Sequence, residues 1–317
     1  MTDHISSQHP AARGHLAAFV TIFIWGTTFI STKVLLTDFE PLEILFFRFL
    51  IGYGALWIAA PRLLRMQDKK QELWFMAAGL CGVTLYYLLE NFALTFTLAA
   101  NVGVIISIAP FFTALCDWLF LRGRRPDLRF LTGFVLAMAG VCLISFRSGG
   151  AVELNPAGDV LAVAAAVIWA VYGTLTKKIS AFGYNTIQST RRMFFYGLLF
   201  MIPALPLFSF RLGLERLTNM TNLLNILFLG LGASALCFVT WNLAVRILGP
   251  VKTSAYIYMV PVVTVTTSVL ILHEEITWTA ALGIVLTLAG LLLSEGRLPL
   301  SRKKDCPASV PCPPGSE

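Results

Sequence analysis

Two ionisable residues, Arg48 and Glu90, sit deep inside predominantly apolar stretches. A charged group in hydrocarbon is costly, so each is a functional candidate by default. At 1.5 Å of rise per helical residue, Arg48 falls roughly 10 Å and Glu90 roughly 8 Å below the same end of their helices. The depths agree, and the two are expected to pair directly or through water. Three uses are open: a structural ion pair locking two helices, a site for the charged ends of a zwitterionic solute, or a titratable carboxylate that couples solute movement to protons. Lys33 lies about three residues from its helix end and either joins this gating set or snorkels to the surface.

Aromatic residues supply the expected cavity wall. Trp25 and Trp169 fall mid-span, and Tyr86, Tyr172, Trp241 and Tyr258 also lie within apolar runs. Interfacial belts account for Trp57, Trp74 and Trp118 near span ends, but not for tryptophan at mid-span. Buried indole and phenol groups need hydrogen-bond partners, which a wet cavity provides. Thr28, Asn91, Asn101 and Asn242 are counted with this substrate-binding set. Pro110 and Pro261 each remove a helical hydrogen bond and are candidate hinges. No membrane-enzyme constellation is present: His4, His9, His15 and His273 all lie near ends, without HExxH, GxSxG or a phosphate loop. The six cysteines show no metal-ligand spacing, so neither metal nor cofactor is expected.

The positioning elements follow from composition. The 317 residues are 57% hydrophobic and 13% charged, too little polar surface for a water-exposed globule. The apolar blocks approach the roughly 20 residues that cross a bilayer, and their continuous character favours helices over barrel strands. Helices are predicted near 15–36, 41–60, 73–95, 98–120, 128–146, 157–177, 185–208, 222–245, 253–272 and 277–294. With ten spans, 19 of the 24 Lys and Arg fall on one face and 3 on the other, which predicts cytoplasmic termini. The net charge of +7 then reflects topology and some attraction to anionic lipid, not nucleic-acid binding. The N-terminal segment 1–14 reads as a cytoplasmic tail without signal-peptide features. Residues 295–317 read as a disordered cytoplasmic tail.

The spans repeat. Trp25 and Trp169 are 144 residues apart, and the same offset relates Thr32-Lys33 to Thr176-Lys177 and Arg48 to Arg192. Further on, an offset of 151 relates Gly79-Leu80 to Gly230-Leu231, Asn91 to Asn242 and Pro110 to Pro261. An offset of 150 relates Gly133 to Gly283 and Ala139-Gly140 to Ala289-Gly290. Five helices is an odd number, so the second half, 157–294, is expected upside down relative to the first, 15–146, with 147–156 as an external linker. Inverted repeats are a signature of secondary transporters, with solute bound near the midplane. Glu90 aligns with Trp241, so the two halves are not chemically equivalent.

The chain resembles the EamA-like permeases of the drug/metabolite transporter superfamily. The resemblance rests on Trp25-Gly26-Thr27-Thr28-Phe29 with Lys33, on 87–94, on Ser107-Ile108-Ala109-Pro110-Phe111, and on Gly133 with Ala139-Gly140 and their copies. It covers about residues 15–294. It implies helices 1–4 and 6–9 around a central cavity, with helices 5 and 10 outside. It further implies alternating-access movement of amino acids, related metabolites or drugs across a bacterial inner membrane, here read as export by a monomer or weak homodimer. A flippase for a lipid or lipid-linked sugar, and a multidrug exporter, are the alternatives.

Overall fold

The computed structural model describes residues 10–96, 102, 105–145, 156–208, 210–263, 266 and 278–294. Helices build it, as expected where lipid offers no partner to backbone polar groups. Among the described residues, four helices are long and apolar enough to cross a membrane: Pro41–Ala59, Lys69–Ala93, Pro156–Ser180 and Met220–Leu248. Shorter apolar helices accompany them, and the chain is a multi-helical membrane protein.

We label the helical runs α1 (Pro10–Leu35), α2 (Pro41–Ala59), α3 (Glu72–Gly79, Leu80–Leu85 and Tyr86–Phe96), α4 (Ala109–Phe120), α5 (Leu128–Ser145), α6 (Pro156–Ser180), α7 (Thr186–Met201), α8 (Met220–Leu227, Phe228–Leu236 and Cys237–Leu248), α9 (Pro250–Ala255, then Tyr256–Tyr258) and α10 (Trp278–Ser294). Helix starts follow local chemistry. Glu40 and Glu43 form a capping box ahead of α2, with Pro41 in its first turn. The Asn185 side chain accepts from the amides of Ile187 and Gln188 at the start of α7.

Several helices predicted as continuous are interrupted, each for a visible reason. α7 stops at Met201, and short 3-10 turns around Pro203 and Pro206 follow, because proline cannot continue the hydrogen-bond ladder. α3 and α8 each widen into a π-helical stretch, Leu80–Leu85 and Phe228–Leu236. The offset of 151 carries Leu80–Leu85 onto 231–236, so the same irregularity occupies matched places. Both are points of close crossing. A β-carbon at Gly79 would lie 2.9 Å from the Gly197 amide on α7, and one at Gly230 would lie 3.2 Å from the Arg48 carbonyl on α2.

α5 and α10 form a tightly packed antiparallel pair. A β-carbon at Gly133 would come 2.8 Å from the Gly290 carbonyl oxygen, and one at Gly140 would come 2.6 Å from that of Gly283. The repeat offset turns the first contact into the second, which is the exchange a local twofold axis across the helices produces. Gly133, Gly140, Gly283 and Gly290 thus make their close contacts within the chain.

The end of the bundle at the α1–α2 turn is fastened by Glu43, whose side chain is fully buried. It accepts from Arg216 at 2.7 Å, from the Arg211 amide at 2.8 Å and from the Glu40 amide at 2.9 Å. Basic residues gather at the opposite end. Arg192 pairs with Glu72 at 2.7 Å, Arg191 donates to the carbonyls of Ala60 and Arg62, and Lys177 donates to the Arg246 carbonyl at 3.2 Å.

Replacing Gly290 with Val should force the α5 and α10 backbones apart and lower stability by about 2 kcal/mol. Thermal unfolding of the detergent-purified protein checks this, and an unchanged midpoint would show that the crossing is not tight.

Candidate functional site

A cavity of about 200 Å³ opens between α1, α2, α3, α6 and α9, with Val102, Ile106 and Ser107 ahead of α4 closing its side. Its mouth lies beside Leu36 and Pro41, at the end of the α1–α2 turn, and its floor is formed by Trp25 and Trp169. The walls are largely apolar, with Ile44, Leu45, Ile106, Ile257 and Val260 among them.

The floor is a stack of aromatic rings at the crossing of α1, α6 and α8. Trp25 and Trp169 meet edge to face at 5.4 Å between centroids, and Trp241 lies 5.2 Å from the first and 5.7 Å from the second. Tyr86 adds a wall 4.8 Å from Trp169. Such pairs add about 0.5–1.5 kcal/mol each beyond area burial. The Trp25 indole donates to the Ala233 carbonyl at 3.0 Å, inside the π-helical stretch of α8. Water in the cavity was the expected partner for this N–H; a carbonyl from the interrupted helix takes that place.

Arg48 and Glu90 both line the cavity. The guanidinium is buried. It donates from Nε to Ser234 Oγ at 2.9 Å and lies 4.9 Å over the Tyr87 ring and 5.4 Å over that of Phe49. Ser234 also belongs to the π-helical stretch. Glu90 lies within electrostatic reach of Arg48 and of the Tyr86 hydroxyl. The two charges therefore share one chamber without closing on each other as a direct ion pair. The cavity thus presents a guanidinium and a carboxyl group between aromatic faces.

Of the residues expected at the site, Trp25, Thr28, Arg48, Tyr86, Glu90, Asn91 and Trp169 line the cavity. Trp241 lies beneath the floor, its indole N–H buried and without a hydrogen-bond partner among the described residues. Tyr172 and Asn242 lie deeper and bond to each other, from the tyrosine hydroxyl to Asn242 Oδ1 at 2.8 Å. Tyr258 points away, packing with Ala137 of α5 and Leu291 of α10. Arg192, the repeat partner of Arg48, is half-buried at the basic end with Glu72. Asn101 and the Lys33 side chain lie outside the described residues. Pro110 sits in the first turn of α4, just after a break at Ser107–Ile108, and Pro261 follows the 3-10 turn Tyr256–Tyr258. Both prolines therefore stand directly after an interruption instead of kinking an intact helix.

Thr32, Tyr87 and Ser234 belong to the site and were not singled out from sequence. Thr32 could have been found, since it falls seven residues from Trp25 and four from Thr28, on one helical face. Ser234 carried no such signal, because only the crossing of α2 with the wide turn of α8 brings it to Arg48.

The family model for the EamA-like transporter family matches the chain twice, over residues 12–146 and 156–295. The chain belongs to the EamA-like transporter family. Full-length relatives agree with that membership. An uncharacterized transporter of Archaeoglobus fulgidus is 29% identical, with 90% of this chain and 98% of the relative covered. A probable terminal-alkyne amino-acid exporter of Streptantibioticus cattleyicolor is 30% identical over 93% and 96% of the two chains. A probable amino-acid metabolite efflux pump of Escherichia coli is 25% identical over 87% and 93%. A solved crystal structure superimposes with a TM-score of 0.70 at 22% identity, covering 89% of this chain and 97% of the other, which shows a shared fold. Family and relatives describe a transporter and not an enzyme.

Ser234→Ala should strand the buried Arg48 Nε–H and lower stability by about 1–3 kcal/mol. Thermal unfolding with Ser234→Thr as a control tests this, the threonine hydroxyl being expected to preserve most of the stability.

Proposed function

We propose that the protein is a secondary transporter of small zwitterionic metabolites, amino acids or close relatives, exporting them across the bacterial inner membrane by alternating access. The observation that carries this reading is the cavity itself, which offers Arg48 and Glu90 to opposite charges and aromatic faces to a side chain. Its volume of about 200 Å³ suits a solute of that size and is small for a lipid headgroup with its chains. The names of the relatives from Streptantibioticus cattleyicolor and Escherichia coli support both amino-acid chemistry and the outward direction.

We further read the chain as ten spans in two inverted halves, 15–146 and 157–294, joined by an external linker at 147–156 and flanked by cytoplasmic tails. Three features support it: the double match to the family model, the matched π-helical stretches, and the reciprocal glycine contacts of antiparallel α5 and α10. On this reading the basic end faces the cytoplasm and the large cavity opens outward.

Topology is checked by single cysteines and an impermeant maleimide. Thr37→Cys should label in intact cells, and Arg65→Cys only in inverted vesicles; the opposite pattern would reverse the orientation. For the site, Glu90→Gln and Arg48→Gln should each reduce proteoliposome counterflow of radiolabelled neutral amino acids at least about tenfold, the effect of roughly 1.4 kcal/mol of lost binding. Undiminished counterflow in Glu90→Gln would end the zwitterion reading, and indifference to soluble solutes with lipid scrambling would replace it by a flippase.

A further inference from the structure

Beneath the aromatic floor, towards the basic end, lies a second cavity of only about 20 Å³. Thr176, Ser180, Ser189 and Asn242 are among its walls. Their repeat partners are Thr32, Leu36, Leu45 and Asn91, and all four of those line the large cavity. The two chambers thus share these four repeat-related positions, one chamber open and one collapsed.

A buried hydrogen-bond chain borders the collapsed chamber, meeting it at Asn242. The Tyr172 hydroxyl on α6 donates to Asn242 Oδ1 on α8 at 2.8 Å, and Asn242 Nδ2 donates to Thr190 Oγ1 on α7 at 2.9 Å. Thr190 in turn donates to the Thr186 carbonyl at 2.9 Å. The large cavity lacks this device by sequence. The partner of Tyr172 is Thr28, whose hydroxyl turns back to the Trp25 carbonyl at 2.7 Å, and the partner of Thr190 is Phe46, which has no polar side-chain atom.

We propose that the small cavity is the closed cytoplasmic half of the solute pathway and that the Tyr172–Asn242–Thr190 chain is the catch holding it shut. The proposal rests on the alternating-access reading above. Because only one half carries the catch, the equilibrium between two similar arrangements is biased towards the state with the large cavity open. When the catch parts, the inner chamber offers the solute the hydroxyls of Thr176, Ser180 and Ser189, with Trp241 in the place of Glu90. It holds no carboxylate at the matching position, so the inner half-site grips an ammonium group differently from the outer one.

The test uses Ser189→Cys in the full-length protein, in inverted membrane vesicles, labelled by an impermeant maleimide and compared with the parent and its native cysteines. Labelling should be slow in Ser189→Cys alone. Adding Tyr172→Phe or Thr190→Val should speed it about fivefold, the effect of one net hydrogen bond on a two-state equilibrium. Adding Thr190→Ser, which keeps the hydroxyl, should leave the rate where it was. Unchanged rates in both Tyr172→Phe and Thr190→Val, with each variant still monodisperse on size exclusion, would overturn the catch. Labelling needs no solute, so a fivefold response in a protein that moves no zwitterion supports the catch and removes only the substrate reading.

Discussion

Hydrocarbon supplies no hydrogen bonds, and every interruption in these helices is organised by that constraint. The π-helical stretch of α8 is the central case. Its wide turn delivers the Ala233 carbonyl to the Trp25 indole and the Ser234 hydroxyl to the Arg48 guanidinium. One irregular turn thereby orients the floor of the cavity and the cation in its wall. A regular helix at the same place would satisfy its own ladder and leave both side chains to find partners elsewhere. The matched stretch of α3 lies where α7 crosses, and there the Thr84 hydroxyl donates to the Gly197 carbonyl at 2.8 Å.

The aromatic floor then separates two chambers of unlike chemistry. Above it, a guanidinium and a carboxyl group line a chamber whose walls are otherwise largely apolar and aromatic. Below it, hydroxyls and an amide bond among themselves in a space too small for a solute. Duplication provides matched positions, and substitution at a few of them makes the halves unequal: Glu90 against Trp241, Thr28 against Tyr172, Phe46 against Thr190. These differences place hydrogen-bonded polar groups on one side of the floor and ionisable side chains on the other.

Much of the fold was legible in the sequence because lipid restricts the possibilities so strongly. Apolar blocks of spanning length and the recurrence of Trp and Thr-Lys at one offset along the chain needed no coordinates. The lining of the cavity by Trp25, Thr28, Arg48, Tyr86, Glu90, Asn91 and Trp169 followed from a simple rule, that polar and aromatic groups at mid-span need a reason to be there. The rule cannot tell a cavity from a buried contact. Tyr258 obeys it while packing against α5 and α10, and Tyr172 and Asn242 obey it while bonding to each other.

Sequence by itself therefore determined the solvent in which this chain folds, the helical class, the repeat and the residue types available for recognition. Those properties depend on composition and on spacing along one chain, where each residue contributes independently of its distant neighbours. Tertiary structure alone decided which partners those residues meet: Ser234 for Arg48, Ala233 for Trp25, Glu72 for Arg192. Such pairings arise where helices far apart in sequence cross, and the crossing points depend on close backbone approach at Gly79, Gly230 and the α5–α10 glycines. No periodicity within a single helix encodes which neighbour it touches, and that choice is what makes one mid-span tyrosine a cavity wall and another a packing residue.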